Sequence, residues 1–148
     1  MGYLAAGFVA LLLTQTPSPR PLSESRGGLQ PQVLITTLPT APLTEAAAMT
    51  LEHDTEVSSA ETVTIIVSIA DCQKDEKGAC NASADLVVNR PDGRVHTEVK
   101  GVSLNQRRAT APLKLTADDP LGLYTVVAIV RDLNARRFGK AERIFGLR

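Results

Sequence analysis

Residues 118–133 read DDPLGLYTVVAIVRDL. A turn built on Pro120 and Gly122 opens onto a run of β-branched and aliphatic residues with Tyr124 at its start. β-branched side chains have few χ1 rotamers to lose on a pleated strand, so such a run favours β structure. A turn that feeds directly into it is how a central strand of an antiparallel sandwich enters from a corner. Residues 123–131 are apolar on both faces, which predicts a central strand covered on both sides.

The flanking sequence carries the same pattern. Residues 62–70, TVTIIVSIA, place Val63, Ile65, Val67 and Ile69 on one face, with Thr62, Thr64, Ile66 and Ser68 on the other. That alternation predicts a half-buried strand. Residues 84–90 direct Leu86 and Val88 inward. Pro91, Asp92 and Gly93 then form a tight turn, because proline presets the first φ angle and glycine accepts a positive one. The return strand is expected to turn Val95, Thr97 and Val99 inward and His96, Glu98 and Lys100 outward. Residues 108–116 alternate again through Ala109, Ala111, Leu113 and Leu115. Pro112 lacks a donor, so this strand belongs at an edge or carries a bulge, and such an edge can accept a partner strand. A turn at residues 134–137 leads to a last strand over 138–147. Six or seven strands at this spacing fit a sandwich better than alternating β-α units.

Composition agrees. The chain has 148 residues, 43% of them apolar but only 3% aromatic, with no tryptophan, so its core must be built from Val, Ile, Leu and Ala. The length supports one domain and a tail. Formal net charge is zero, yet residues 1–89 carry a balance of −6 and residues 90–148 of +6. Either the basic half forms one face for an anionic partner, or the halves interleave in space; sandwich topology favours interleaving.

The expected organisation is a signal segment at residues 1–16, a flexible linker at 17–31, an N-terminal arm or first strand with a short helical turn at 32–61, and the sandwich domain at 62–148. Residues 4–13, LAAGFVALLL, are too short for a membrane span and fit the apolar core of an export signal. The rival is a short apolar segment packed on the domain. Residues 17–31 are rich in Pro, Ser, Gly and Arg. In residues 44–49, TEAAAM, Thr44 is a fitting helix cap.

Cys72 and Cys80, with seven residues between them, fit a structural disulfide clipping a loop between two strands. Two free thiols are the alternative. The spacing is not Cys-x-x-Cys, and a zinc site lacks two further ligands. A periplasmic or secreted location follows from the leader and the cysteine pair together.

The segment Asp119, Pro120, Leu121, Gly122, Leu123, Tyr124 resembles the Asp-Pro-x-Gly-x-Tyr entry of bacterial immunoglobulin-like and macroglobulin-like domains. The cysteine-clipped loop and the Asn89, Arg90, Pro91, Asp92, Gly93 turn also resemble a group of uncharacterised exported proteins of Gram-negative bacteria. The resemblance covers residues 60–148. It implies an immunoglobulin-like antiparallel β-sandwich in which the Tyr124 hydroxyl bonds an upstream backbone group, with Asp119 and Gly122 shaping the corner. The motifs are structural and imply no reaction. The chain departs from true immunoglobulin domains, which carry a Cys…Trp…Cys set.

Reactive constellations are sparse. His53 lies among Glu52, Asp54 and Glu56, a weak metal set and a good solvated loop. His96 is expected to face solvent. Asp118 and Asp119 are a carboxylate pair, but aspartates before a turn proline usually bond local backbone. Asp71, Asp75, Glu76 and Asp85 lack the calcium-loop pattern. No serine sits in a nucleophile elbow. The basic residues from Arg107 to Arg143 lack a set of aromatics on which successive bases would stack, so no nucleic-acid partner is expected. The sequence therefore predicts a non-enzymatic exported module without a cofactor, binding another protein or the cell envelope. A periplasmic metal or small-ligand carrier is the alternative.

Overall fold

Alternation of apolar and polar residues sets the observed strands. The computed structural model describes residues 29–37 and 56–148. These form eight strands: β1 (Pro31–Thr36), β2 (Glu56–Val57), β3 (Val63–Ile69), β4 (Ala82–Asn89), β5 (Val95–Ser103), β6 (Arg108–Leu113), β7 (Gly122–Asp132) and β8 (Arg137–Leu147). Two sheets face one another. One has the order β1-β3-β6, the other β2-β8-β7-β4-β5. All strand pairs are antiparallel except the short β2–β8 pair. Among the described residues the architecture is an all-β sandwich of a three-stranded and a five-stranded sheet. The eighth strand beyond the expected six or seven is β2, whose two residues are too few to give a sequence period.

The interior is aliphatic. Val33 and Ile35 of β1, Val63, Ile65 and Val67 of β3, Leu86 and Val88 of β4, and Val126 and Val130 of β7 are all buried in one cluster. Burying each such side chain contributes about 1.5–3 kcal/mol relative to leaving it in water. Tyr124 stacks on Phe145 with ring centroids 5.3 Å apart and adds the aromatic part of the core.

Four sequence expectations change. First, β7 is central in its sheet but covered on one side only. Tyr124, Val126, Ala128 and Val130 are buried, while Val127 and Ile129 are half-buried and Leu123 is exposed. The facing sheet covers one face, and neighbouring strands shelter the other only in part, as an antiparallel sheet permits.

Second, β3 is buried on both faces. Thr64 and Ile66 lie on the side away from the facing sheet and are nonetheless buried. The strand is the middle one of three, and Leu34 and Thr110 flank Ile66 in register.

Third, the ladder between β4 and β5 shifts register twice, and Val95 and Val99, both expected inside, are exposed. Val88 pairs with Thr97 and Asn89 with Val95, so His96 is the extra residue of a β-bulge. A bulge turns a side chain away from simple alternation. His96 therefore points into the sandwich edge instead of into solvent.

Fourth, β1 begins at Pro31, the last residue of the expected linker, and Leu29 already belongs to the core. Proline is compatible with the first position of an edge strand. The sandwich thus includes β1 and β2 in addition to residues 62–148. The leader at 1–16, the turn at 44–49 and His53 lie outside the described residues.

Candidate functional site

Three sequence motifs meet at one corner. The Pro91-Asp92-Gly93 turn joins β4 to β5, closed by hydrogen bonds from the Arg90 N–H to the Arg94 carbonyl (2.7 Å) and from the Gly93 N–H to the Arg90 carbonyl (3.0 Å). Gly93 has φ +82°. The chain enters β7 at Gly122, with φ +132°, where a Cβ would stand 3.0 Å from the Pro91 ring. A residue with a side chain is strained there by conformation and crowded by Pro91. The Tyr124 hydroxyl donates to the Pro120 carbonyl at 2.9 Å, fixing the approach to β7.

Asp119 holds the corner from inside. Its Oδ2 accepts from the Thr116 N–H at 2.7 Å and from the Thr116 hydroxyl at 3.1 Å. Its Oδ1 lies 3.6 Å from the Arg90 guanidinium and 3.3 Å from His96 Nδ1. The Nδ1 contact has ion-pair distance without hydrogen-bond alignment. On the other side of the ring, His96 Nε2 donates to the Lys114 carbonyl at 2.9 Å, and the ring meets Tyr124 edge-on. His96 thus ties the edge of one sheet to the chain leaving the other. The Thr116 N–H bond, joined by the hydroxyl and the nearby cations, holds the Asp119 carboxyl below the ordinary carboxylate range against the cost of burial. Burial, with the Asp119 charge, pushes the Tyr124 phenol up. The Asp118–Asp119 pair is thereby a corner device: its inner carboxylate binds local backbone.

A second buried carboxylate holds the opposite end. Cys72 and Cys80 form a disulfide, Cα–Cα 5.8 Å, across the β3–β4 loop. Asp132, fully buried at the end of β7, accepts from the Gln73 N–H at 2.8 Å, from the Ala135 N–H at 3.2 Å and from Arg137 at 3.2 Å. Burial works to raise its carboxyl, and these donors together outweigh burial and lower it. Asn134 adds amide donation to the Gln73 and Ala79 carbonyls. The clipped loop is therefore fastened to the β7–β8 turn. Sequence reasoning missed Asp132, although its even-numbered place in β7 puts it on the inward face with Tyr124, Val126, Ala128 and Val130.

The acidic group considered for calcium is dispersed. Asp75 accepts from the Lys77 and Ala79 N–H groups within its loop. Asp85 sits on the outer side of β4, bonded by the Gly101 N–H at 2.9 Å and by Arg131 at 2.6 Å, and both lower its carboxyl. Asp71 lies 3.8 Å from Arg137. Among the described residues, no three His, Cys, Asp or Glu side chains gather as a metal set. A groove of about 720 Å³ runs past Gln32, Ser68, Arg107, Arg108 and Thr110, and no carboxylate or imidazole is among its described lining. No helix among the described residues is long and apolar enough to cross a membrane.

The charge halves interleave. Asp85 pairs with Arg131, Asp71 with Arg137 and Glu56 with Arg148, each an acid from the first 89 residues and a base from the rest. Among the described residues, no element covers the outer face of the five-stranded sheet. Leu123 is 66% exposed, Phe138 60% and Ile144 53%, and the half-buried Val127 and Ile129 share that face.

No family model matches the chain, and no curated protein matches it. Among solved structures, it is similar to the superoxide reductase (neelaredoxin) of Ignicoccus hospitalis, with a TM-score of 0.47 and 12% identity over 82% of this chain and 83% of that one. It is also similar to an immunoglobulin-like protein of Pseudomonas aeruginosa, with a TM-score of 0.42 and 16% identity over 79% of this chain and 97% of that one. Neither likeness transfers a site to this chain.

Proposed function

We propose that the protein is a non-enzymatic binding module of the cell envelope, periplasmic or secreted, whose working surface is the outer face of the five-stranded sheet. The observation that carries this is the set of large apolar side chains, Leu123, Phe138 and Ile144, left in water on one sheet face. Phe138 and Ile144 stand apart on β8 with Lys140 and Glu142 between them, and the half-buried Val127 and Ile129 of the adjacent β7 link them into a stripe; exposed apolar patches rimmed by polar residues mark interaction sites. The buried carboxylates support the same conclusion from the other direction. Asp119 is held by the Thr116 N–H and hydroxyl, and Asp132 by the Gln73 and Ala135 N–H groups and Arg137, which suits both to holding loops rather than to moving protons. The disulfide supports placement in an oxidising compartment.

The test is site-directed photo-cross-linking in the native envelope, with the probe at position 138 or 144. Capture of a defined macromolecule from these positions, and not from position 110 on the other sheet, is expected. Recovery of only the free monomer in every condition contradicts the proposal.

A further inference from the structure

The outer face of the five-stranded sheet is complementary to itself, and from this we infer that it binds a second copy of the chain, an inference that rests on the face being a contact surface. Val99, Leu86, Ala128 and Ala141 form one row across β5, β4, β7 and β8. About this row the outward residues are arranged in opposed kinds. On β8, Lys140 and Glu142 stand one step to either side of Ala141, and Phe138 and Ile144 stand three steps to either side. On β5, Glu98 and Lys100 flank Val99; on β7, Val127 and Ile129 flank Ala128.

A two-fold axis lying in the face along this row brings each strand antiparallel over its own copy. It places Phe138 on the partner's Ile144, Lys140 on the partner's Glu142, Lys100 on the partner's Glu98 and Ile129 on the partner's Val127. Apolar meets apolar and acid meets base at every one of these positions. On β4 the same axis sets Asp85 over the partner's Val87, the one position of unlike kind, where Asp85 keeps its Arg131 neighbour in the same chain.

The intrachain pairs Lys140–Glu142 at 2.8 Å and Lys100–Glu98 at 3.3 Å become two four-charge clusters without losing a partner. A two-fold axis running along the strands instead would set Glu142 over the partner's β4–β5 side, where Glu98 lies, and like charges would meet. The charge pattern therefore selects one isologous dimer, with the sheets packed face to face.

Sedimentation velocity on the disulfide-intact chain tests this, with circular dichroism confirming that each variant is folded. The wild-type chain is expected to dimerise below ~100 µM, and Phe138→Glu to weaken the dimer about thirtyfold or more, as replacing an aromatic contact by a charge on both copies does. Lys140→Glu should weaken it about tenfold by setting acid against acid, and the swap Lys140→Glu with Glu142→Lys should restore it to within about threefold. A wild-type chain that stays monomeric at ~100 µM, or a dimer indifferent to both Phe138→Glu and Lys140→Glu, overturns the inference. A monomer that still cross-links to a different macromolecule through position 144 removes the dimer and leaves the contact surface standing; a monomer that captures nothing there removes both.

Discussion

Tyr124 joins the corner and the core in one side chain. Its ring lies between Phe145 and His96, and its hydroxyl closes the turn on Pro120. Tyr124→Phe keeps the ring and leaves a carbonyl without that donor, so it should cost about 1–2 kcal/mol in urea unfolding with the m-value unchanged. A variant as stable as the wild type would show that the hydroxyl bond contributes nothing net. The turn and the β-branched run showed where Tyr124 enters its strand, while its hydroxyl bond was implied only by the resemblance of residues 119–124 to the Asp-Pro-x-Gly-x-Tyr entry. The role of His96 was not legible. Alternation alone turns it outward, and only the pairing of β4 with β5 shows that a residue is inserted there. Asp132 was legible in principle: its inward place follows from the period of β7, but its donors come from Gln73, Ala135 and Arg137, all of which lie outside that strand.

At the scale of elements, two junctions decide whether the sandwich closes. The chain before β1 crosses β8 at Gly139, where a Cβ would stand 2.4 Å from the Leu29 carbonyl oxygen and 2.7 Å from the Pro31 ring. Gly139→Ala must push backbone aside, and a loss of about 2–3 kcal/mol is expected, as for overpacking in a tight site. An unchanged thermal midpoint would mean that Leu29 and Pro31 do not cross β8 so closely.

The other junction is the clipped loop. Reducing Cys72–Cys80 should lower stability by about 2.5 kcal/mol in the chain-entropy model while the sandwich stays folded, because Asp132 and Asn134 still fasten the loop. Global unfolding on reduction would show that these bonds do not hold the loop alone. Strand identities were readable from period-2 patterning. The coverage of each face was not, because periodicity does not tell how far the surroundings shelter a sheet's outer face: β3 and β7 are both internal strands, yet β3 is buried on both faces and β7 keeps one open.

For the whole molecule, acid stability follows from the paired carboxylates. Asp85, Asp119 and Asp132 all have folded-state pKa values lowered from the ordinary one. Depressed values mean that their stabilisation is complete above the unfolded pKa, about 3.9, and is lost as pH falls through the folded values. Thermal midpoints should therefore drop as pH falls below about 4, and Asp132→Asn should shrink that drop. An identical acid limb in the variant would remove Asp132 from the explanation. The charge asymmetry left open one basic face or interleaved halves, with sandwich topology favouring the latter, and the cross-half ion pairs are the physical form of interleaving.

Two facing sheets with a dry aliphatic interior underlie the corner, the fastened loop and the open face alike. Native-state hydrogen exchange, followed residue by residue, tests this most directly. The amides of Ile65, Val67, Val126, Ala128 and Val130 should exchange slowest, through global unfolding, while those at the free edge of β5 exchange far faster. Rapid exchange at these central positions, or uniform protection across β5 and β7, would contradict the two-sheet sandwich.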